Sequence, residues 1–583
     1  MYELHVRHEF GYSRCLDGAQ IIVAVIRDVL KLAELGSGGV YLNVALRDLF
    51  ARMISFPLEA ALVMLRLPCK VSGRFKWVDF QMMYPHVLFS VLYHSYPAQF
   101  SRTFYAAGRS EIRKFWNSQR DHPSYADHPM HEHDFDHLEH ACPLFFHGDD
   151  VAAVGLGKVW SRSIDVTSWG GLLGSEGIQW SRHFLNWMIF NTSLAHTTDG
   201  AFMTMNTLWR HLCWSFYWLQ QGRWPDRDAY GVMYTEGLNY ERRLQLLADG
   251  NYGILWALRC DLDWNQTHFH LADSTGGLPC GSCGATHTAV RPWTDCRQPP
   301  HCSWEPCIWT NTAHAAHFGN ARHRILRVLP GFGIANFVAD VLHSKFLGAD
   351  QYYLGSALAL LTHHHMTGSV SENLSAIVEA IKAAYDDARV PNDLRYPTLR
   401  VTQYKSAKLG ILPKLKGTGV QCKGLAKVLP DVFAVFADLD DEYHRRVLEG
   451  LCLIRETNEI LHEMRHAYRL PKNAADSLIN KSFNIGRIVT ELIRYYHPLG
   501  IPIFHYTIKL HYTLHISLVA RYTNPMMWDC SSGESLMKEA RKLIQGSTHG
   551  NSCIRAANVA MQKYAKSLHF DLQRVTDAGG CSK

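Results

Sequence analysis

Apolar residues recur every three or four positions in several long segments of the chain, which is the spacing of a helix with one buried face. Near the start of the chain, this spacing predicts helices over Gln20–Leu35 and Asn43–Leu67. Beyond Cys307 the same spacing returns with charged outer faces and predicts a mainly helical region. The helices predicted there are Ile334–Thr362, Ser371–Ala388, Asp440–Tyr468 and Ala474–His497.

Between these regions the pattern changes to short, continuous apolar runs, which are typical of buried strands. One run begins at Pro143 and ends in Gly148-Asp149-Asp150, a sequence that favours a turn. Another, Tyr252–Asp261, also ends in an acidic residue. Ser163–Leu173 is predicted to be a strand, and Phe184–Ala195 a strand or a helix.

This change of pattern, over a length of 583 residues, predicts several packed units. Residues 1–140 are a helical N-terminal region, and residues 141–284 are the first part of an α/β core. Residues 285–525 are a mainly helical insertion, and residues 526–583 contribute the final core helix and a tail. The first boundary follows a polar, histidine-rich segment, residues 124–141, which is either a solvated loop or a metal-binding loop.

The composition excludes a mainly disordered chain, because 47% of the residues are hydrophobic and only 19% are charged. A net charge of +6 permits a polyanionic partner without requiring one. No apolar stretch reaches about 18 residues, so we expect no membrane span. The N-terminus lacks the pattern of a secretory signal. We therefore expect a reducing compartment, where clustered cysteines favour metal binding over disulfides.

Acidic residues end two of the predicted strands and begin a late helix. Asp149 and Asp150 form a doublet after one strand, Asp261 follows another, and Glu534 begins the predicted helix Glu534–Ile544. Phosphoryl transfer on nucleic acids uses carboxylates that hold two Mg²⁺ or Mn²⁺ ions about 3.5–4 Å apart. The acids Asp150, Asp261 and Glu534 are therefore the candidate catalytic metal ligands.

Each of these acids also has an ordinary structural explanation. The Gly148-Asp149-Asp150 sequence could be only a turn. Asp261 could cap the element that follows its strand. Ser531 and Glu534 match the capping box at the start of a helix.

Four cysteine and histidine residues have the spacing of a zinc site. Cys280 and Cys283 are separated by two residues, so both thiolates can bind one Zn²⁺ at about 2.3 Å. His511 and His515 lie one helical turn apart and hence on one helix face. A structural Cys₂His₂ site would join the loop after Asp261 to the segment before Glu534. The alternatives are completion by nearby Cys296, Cys302 and Cys307, or two reduced thiols and two core histidines.

Residues 394–429 contain eight basic residues and no acid. Such a segment could neutralise DNA phosphates, or it could be a solvated basic linker. The candidate nucleic-acid-binding residues are Arg400, Lys405, Lys408, Lys414, Lys416 and Lys423.

Six motifs occur along residues 140–570 in a defined order. They are HGDDVAAVGLGKVWSRS, LADGNYGILWALRCDLDW, LPCGSC, ADVLHSKFLGADQ, KLHYTLHI and NPMMWDCSSGESLMKEARKLIQG. Their order resembles that of eukaryotic cut-and-paste DDE transposases of the CACTA/Plavaka/Kyakuja-Dileera-Zisupton group. The resemblance implies an α/β RNase-H-like catalytic core with a large, mainly α-helical insertion and a helical N-terminal region.

The same resemblance implies how the site residues act. The first acid falls on Asp149 or Asp150, the second on Asp261 and the last on Glu534. The Asp-x-x-His motif of the group matches Asp340 and His343, which would support the core or contact DNA. It further implies nuclear location, double-stranded DNA partners (transposon ends and target) and a possible homo-oligomer.

Two other functions remain open from the sequence. A transposase-derived DNA-binding or scaffold protein would keep the fold and the zinc site while its acids need not converge. A histidine- and cysteine-containing metalloprotein unrelated to DNA would have a neutral or acidic surface around Asp261.

Overall fold

The structure is a computed structural model that describes residues 57–126, 128–132, 138–153, 163–174, 183–197, 203–272, 275–405, 412–548 and 550–580. The predicted helix Gln20–Leu35, most of the predicted helix Asn43–Leu67, and Lys408 lie outside these ranges. The elements from Ala60 onward belong to one unit. Within the described residues, no helix is long and apolar enough to cross a membrane.

The first two strands form a β-hairpin: β1 (Leu62–Val71) pairs antiparallel with β2 (Arg74–Met83). The two residues between them, Ser72 and Gly73, have φ values of 49° and 78°. Positive φ at both positions is what a two-residue hairpin turn requires. The prediction of a helix through Leu67 is therefore wrong from Leu62 onward, because this turn commits the flanking residues to strand pairing.

A four-stranded sheet contains β3 (Ala141–Ala152), β4 (Ser163–Gly171), β5 (Phe184–Phe190) and β6 (Tyr252–Leu258), in the order β5-β4-β3-β6. The first three strands run antiparallel to one another, and β6 runs parallel to β3. Every residue of β5 and β6 is buried, in agreement with their continuous apolar runs. The predicted turn at Gly148-Asp149-Asp150 is wrong, because β3 continues through the doublet to Ala152 and pairs there with β4.

Helices surround this sheet in the first half of the described chain. Labelled in chain order, they are α1 (Pro85–Ser95), α2 (Arg109–Ser118), α3 (Met203–Gln221), α4 (Gly237–Arg242) and α5 (Leu262–Phe269). Helix α5 packs directly on β3, since a Cβ added at Gly148 would overlap the ring of Trp264. The Gly148 position therefore needs the absence of a side chain for this close approach.

The second half of the described chain is built mainly from longer helices, and those between Asp350 and Val519 contribute residues to a large apolar core. They are α6 (Asn311–Phe318), α7 (Asp350–Ala359), α8 (Val370–Asp387), α9 (Gly419–Phe436), α10 (Glu442–Glu463), α11 (Lys472–Tyr496) and α12 (Ile508–Val519). Single helical turns lie at Pro97–Phe100, Ile325–Val328 and Val401–Tyr404. The predictions at Ser371–Ala388, Asp440–Tyr468 and Ala474–His497 are confirmed as helices α8, α10 and α11.

The predicted continuous helix Ile334–Thr362 is wrong in its first part. A short 3₁₀ turn is followed by non-helical residues, a π-helical segment at Leu342–Ala349, and only then α7. Asp340 explains the interruption, because its carboxylate accepts hydrogen bonds from the backbone N–H groups of Leu342 (3.0 Å) and His343 (2.6 Å). A buried acid thus fixes the start of the π-helical segment, which begins beside the candidate site.

Two final helices complete the unit: α13 (Ser531–Gln545) and α14 (Cys553–Gly580). Helix α13 lies against β3, since a Cβ at Gly533 would overlap the ring of His147. Helix α14 contacts β5, where the Leu185 N–H donates to the Tyr564 hydroxyl at 3.1 Å. These contacts bring the end of the chain to the central sheet.

Candidate active site

Asp149 and Asp150 point to opposite faces of β3, because successive side chains of a strand alternate. Asp150 is the register partner of Asp165 on β4, and its Oδ1 accepts a hydrogen bond from Asn191 Nδ2 at 3.3 Å. Asp149 lies on the other face of the sheet. The two acids of the doublet therefore lie on different sides of the sheet, although the charge of Asp261 raises the pKa of both carboxyls.

Asp149 faces two of the other predicted acids. Burial, and then the negative charges of Glu534 and Asp261, raise the pKa of its carboxyl to about 8. Glu534 and Asp261, although far from Asp149 in sequence, are therefore close enough in the fold to disfavour the charged form of Asp149. Asp149 is therefore the acid of the doublet that lies on the side of Glu534. Among the described residues, the groups of ligand atoms that lie within 4.8 Å of one another do not include these three carboxylates.

Asp261 follows β6 and caps α5, where its Oδ1 accepts a hydrogen bond from the Trp264 N–H at 2.6 Å. The predicted capping role is thus confirmed. Burial nevertheless raises the pKa of this carboxyl, against the opposing effects of the Trp264 N–H and His343. Asp261 is therefore both a structural cap and a member of the acidic cluster.

Glu534 lies in the first turn of α13, and the capping-box explanation for it is wrong. The residue before the helix is Cys530, which makes no side-chain capping bond. Ser531 is already helical, and its N–H donates to Asp529 Oδ1 at 2.7 Å. The Glu534 carboxylate instead reaches His343, with 3.7 Å between Oε1 and Nε2.

Asp340 and His343 form a hydrogen-bonded pair behind the three acids. Nδ1 of His343 lies 2.8 Å from Oδ2 of Asp340, which is fully buried. The other Asp340 oxygen accepts the Cys530 N–H at 3.0 Å, which joins this pair to the start of α13. Burial opposes the charged imidazole, but Asp340, Glu534 and Asp261 outweigh it and raise the pKa of His343 to about 9. The imidazolium therefore supplies positive charge to an acidic cluster.

On the opposite face of the sheet, Asp150 belongs to a second polar group. Its neighbour Asp165 accepts hydrogen bonds from the indole N–H groups of Trp187 (2.6 Å) and Trp264 (3.0 Å), and lies 3.1 Å from His268 Nε2. Burial and then the charge of Asp165 raise the pKa of Asp150 to about 6. Asp165 was not among the predicted site residues, and its partners lie on two other elements, β5 and α5.

Cys280, Cys283, His511 and His515 come together as one buried cluster, as the sequence predicted. All four ligand atoms lie within 4.8 Å of one another. Nε2 of His515 is 3.5 Å from Cys280 Sγ, Nε2 of His511 is 3.4 Å from Cys283 Sγ, and the two nitrogens are 3.2 Å apart. A tetrahedral Zn²⁺ separates sulfur from nitrogen ligands by about 3.5 Å and two nitrogens by about 3.3 Å. The cluster thus has the dimensions of a Cys₂His₂ zinc site.

The surroundings of this cluster hold its ligands in place. The indole of Trp304 packs against both imidazoles, at 4.5 Å from His511 and 4.6 Å from His515 between ring centroids. Burial opposes ionisation of the Cys280 thiol, but Cys283 and the two histidines lower its pKa well below the ordinary value. A thiolate is the form that binds zinc.

The remaining cysteine candidates have other contacts. Cys296 lies beside Thr490 (3.6 Å), Cys302 donates to the Asp295 carbonyl (3.4 Å), and Arg291 donates to Cys307 (3.1 Å). No cysteine of the described residues is in a disulfide. Of the histidine-rich segment, residues 133–137 lie outside the described ranges.

The predicted basic residues are spread over three elements. Arg400 and Lys405 flank the helical turn Val401–Tyr404, Lys414 and Lys416 lie in the following loop, and Lys423 lies on α9. Two of them pack on aromatic rings: Lys414 Nζ lies 5.2 Å from the Tyr352 centroid and Lys423 Nζ 3.9 Å from that of Phe346. Arg400 and Lys416 are exposed.

Comparison with models of known protein families finds no match. No curated protein matches the chain either.

Proposed function

We propose that this chain is a DDE-type transposase-like protein that cleaves DNA ends and transfers the strand in a Mg²⁺-dependent reaction. The observation that carries the proposal is the convergence of Asp149, Asp261 and Glu534 on one side of β3. Asp149 is the first acid, and Asp150, which faces the opposite side of the strand, is outside the catalytic group.

The strand order supports an RNase-H-like core. Three antiparallel strands are followed, after α3, by a fourth strand parallel to the first. The acids occupy the first strand, the end of the fourth strand and a later helix packed on the first strand. This is the arrangement that the resemblance to DDE transposases implies, with a large helical insertion between the second and third acids.

The donor set fits Mg²⁺ or Mn²⁺. Carboxylate oxygens are the hard ligands that these ions prefer. Burial is the larger cause of the raised pKa of Asp149, and the charges of Glu534 and Asp261, which a cation would offset, add to it. When bound there, two such ions supply activation of the attacking oxygen and stabilisation of the leaving oxygen.

The protein groups around the acids have positioning roles. Capping of α5 fixes one oxygen of Asp261. The Asp340–His343 pair holds Glu534 from behind, and the Cys530 N–H bond ties the start of α13 to Asp340. Together these contacts hold the Asp261 and Glu534 carboxylates in position, while strand β3 supplies Asp149.

The Cys280/Cys283/His511/His515 cluster is a structural Zn²⁺ site in this proposal. It fastens the loop after α5 to helix α12, which precedes α13. A closed set of four protein ligands leaves no position for a substrate, as is usual for structural zinc. Its function is to align acids that come from distant parts of the chain.

The substrate in this proposal is double-stranded DNA, as transposon ends and as target. A reaction on chromosomal DNA requires a nuclear protein, and pairing of two ends would use a homo-oligomer. The exposed cations Arg400 and Lys416, with neighbouring lysines, are candidates for phosphate contacts.

A nicking assay tests the catalytic proposal. Supercoiled plasmid is incubated with the purified protein and Mn²⁺ or Mg²⁺, beside the same reaction in EDTA. We expect metal-dependent nicked circles that disappear in the Asp261→Asn variant. A well-folded protein that binds DNA but produces no metal-dependent nicks would favour the inactive scaffold function instead.

A further inference from the structure

The β1–β2 hairpin has a solvent-exposed face that carries its largest apolar side chains. Met64, Phe75 and Trp77 are exposed by 52%, 51% and 50%, respectively. The register pairs Met64 with Gln81, Pro68 with Trp77 and Lys70 with Phe75, so all three side chains share one face. The opposite face is the packed one and contains buried Leu65 and Phe80.

The tip of this hairpin is basic. Lys70, Arg74 and Lys76 are all exposed, and among the described residues none of them forms an ion pair. The one acid of the hairpin, Asp79, is already paired with Arg66 at 3.1 Å. Lys70 shares the face of Phe75 and Trp77, whereas Arg74 and Lys76, the register partners of Val71 and Cys69, project from the other face at the same end of the hairpin.

Phe75 and Trp77 are arranged edge-to-face, with ring centroids 6.2 Å apart. Half of each side chain is open to solvent, and Arg66 donates to the Trp77 carbonyl at 3.3 Å, which fixes the backbone there. Exposed aromatic rings beside cations are the combination that binds unpaired nucleic-acid strands, with bases stacked on rings and phosphates near the cations.

Strand β1 of the hairpin is joined to the segment that follows β5 of the sheet. Cys69 forms a β-bridge with Leu194, three residues after Asn191, whose side chain bonds Asp150. Helix α14 fixes the other strand, where Asn558 Oδ1 accepts the Gln81 N–H at 2.9 Å. Both strands of the hairpin are therefore attached to the rest of the unit, while residues 72–77 at the turn and the start of β2 stay exposed.

We propose that the exposed face and tip of the β1–β2 hairpin bind a DNA strand with unpaired bases: Trp77 and Phe75 stack on bases, and Lys70, Arg74 and Lys76 contact phosphates. The inference rests on the proposed function only in taking DNA as the substrate. A strand freed at a cleaved end is the source of unpaired bases that this function would provide.

The test measures binding of a fluorescent dT20 oligonucleotide by anisotropy, in EDTA so that no cleavage occurs, over a series of salt concentrations. We expect Trp77→Ala to weaken binding by roughly 5- to 100-fold, as for other bases stacked on aromatic residues. The triple variant Lys70→Glu/Arg74→Glu/Lys76→Glu should lower the slope of log affinity against log salt by about 2, since each contact with a single strand contributes about 0.7.

Matched controls lie elsewhere on the surface. Tyr230→Ala removes an aromatic ring that is 54% exposed, and Lys382→Glu/Arg465→Glu/Lys472→Glu reverses three exposed charges. Both should bind like the wild type.

Three results would overturn the proposal: no wild-type binding of dT20, unchanged affinity and slope in folded hairpin variants, or a Trp77→Ala effect on oligomeric state with no effect on DNA binding. Metal-dependent nicking is scored separately. If the wild type nicks plasmid and the hairpin variants bind dT20 as tightly as the wild type, only the hairpin proposal is refuted. If the hairpin variants lose dT20 affinity but the wild type produces no metal-dependent nicks, only the catalytic proposal is refuted.

Discussion

Nε2 of His343 lies 3.7 Å from Oε1 of Glu534, while Nδ1 of the same ring is bonded to buried Asp340. This contact joins the π-helical segment to the last core helix. Because the imidazole is held from behind by Asp340, its position is fixed, and it can fix Glu534 in turn. The acidic cluster is thus organised by a residue pair that lies between the second and third acids in sequence.

The two acids of the doublet should behave differently when each is neutralised. Asp149→Asn removes the carboxylate that faces Glu534 and Asp261. Loss of a group that only supports a metal ligand costs up to about 100-fold in activity, so we expect loss of the ligand itself to lower metal-dependent nicking by more than about 100-fold. Asp150→Asn, on the other face of β3, should retain activity within a few-fold. Nicking rates of the two folded variants, measured side by side, check this. Equal losses would contradict the assignment of Asp149.

Asp149→Asn should also stabilise the metal-free protein near neutral pH. Burial and the charges of Glu534 and Asp261 raise the pKa of the Asp149 carboxyl to about 8, so the fold disfavours the ionised form that the unfolded chain adopts. Thermal unfolding with and without Mg²⁺ measures this effect. We expect a higher melting temperature without metal and a smaller increase on adding Mg²⁺ than in the wild type. A variant that is less stable without metal would indicate that Asp149 is held by favourable contacts instead.

His343→Asn should reduce activity as a positioning change. Loss of the contact with Glu534 should lower the nicking rate by roughly 10- to 100-fold and weaken Mn²⁺ binding, as for other partners of metal ligands. Asp340→Asn should have a similar effect, while His466→Asn, at an exposed site, should have none. Mn²⁺ titration separates this from a general loss of folding: more Mn²⁺ should partly rescue His343→Asn. Full activity of the variant at low Mn²⁺ would contradict the role.

Local spacing predicted the two halves of the zinc cluster and most strands and long helices. Each of these depends on residues that are only a few positions apart in the sequence. A two-residue spacing of cysteines and a four-residue spacing of histidines already place ligands on one side of a loop or helix. The choice between Asp149 and Asp150 could not be predicted this way. A shift of one residue in strand register moves each side chain to the other face of the sheet. Only the packing of Trp264 on one face of β3 and of α13 on the other shows that Asp149 lies on the α13 side.

Two other features depended on contacts that no local pattern contains. The partners of Asp165 come from β5 and α5, so its burial could be recognised only in the fold. The sequence predicts a helix where the hairpin begins, because the apolar residues before Leu67 also match helical spacing. The two-residue turn at Ser72-Gly73 instead leads these residues into an antiparallel hairpin, despite their helical spacing.

The purified protein should contain zinc at the Cys280/Cys283/His511/His515 site, and this zinc should stabilise the fold. We expect about one zinc per chain by elemental analysis of the purified protein, and loss of it in Cys280→Ser. Structural zinc in small domains supplies roughly 10 kcal/mol or more of binding free energy at pH 7. Its loss should therefore lower the melting temperature clearly, while Cys213→Ser, at a buried cysteine outside the cluster, should keep its zinc. A zinc-free wild-type protein with unchanged stability in Cys280→Ser would contradict the site.

Acid should destabilise the fold through His86. Burial lowers the pKa of this imidazole from 6.5 to about 3, with a smaller effect from Arg242, and its Nδ1 lies 2.7 Å from the Ser215 hydroxyl. The unfolded chain thus takes up a proton near pH 6.5 and the folded chain only near pH 3. The stability present above pH 6.5 is therefore lost progressively as the pH falls toward 3, by about 2 kcal/mol at pH 5.

His86→Gln removes this titration while keeping a polar partner for Ser215. Urea unfolding at pH 7.5 and pH 5 should show that the wild type loses about 2 kcal/mol more than this variant between the two conditions. His466→Gln, at an exposed histidine, should follow the wild type. The same loss in His86→Gln as in the wild type would mean that other groups carry the acid sensitivity, because the buried imidazole is the only titrating group that this substitution removes.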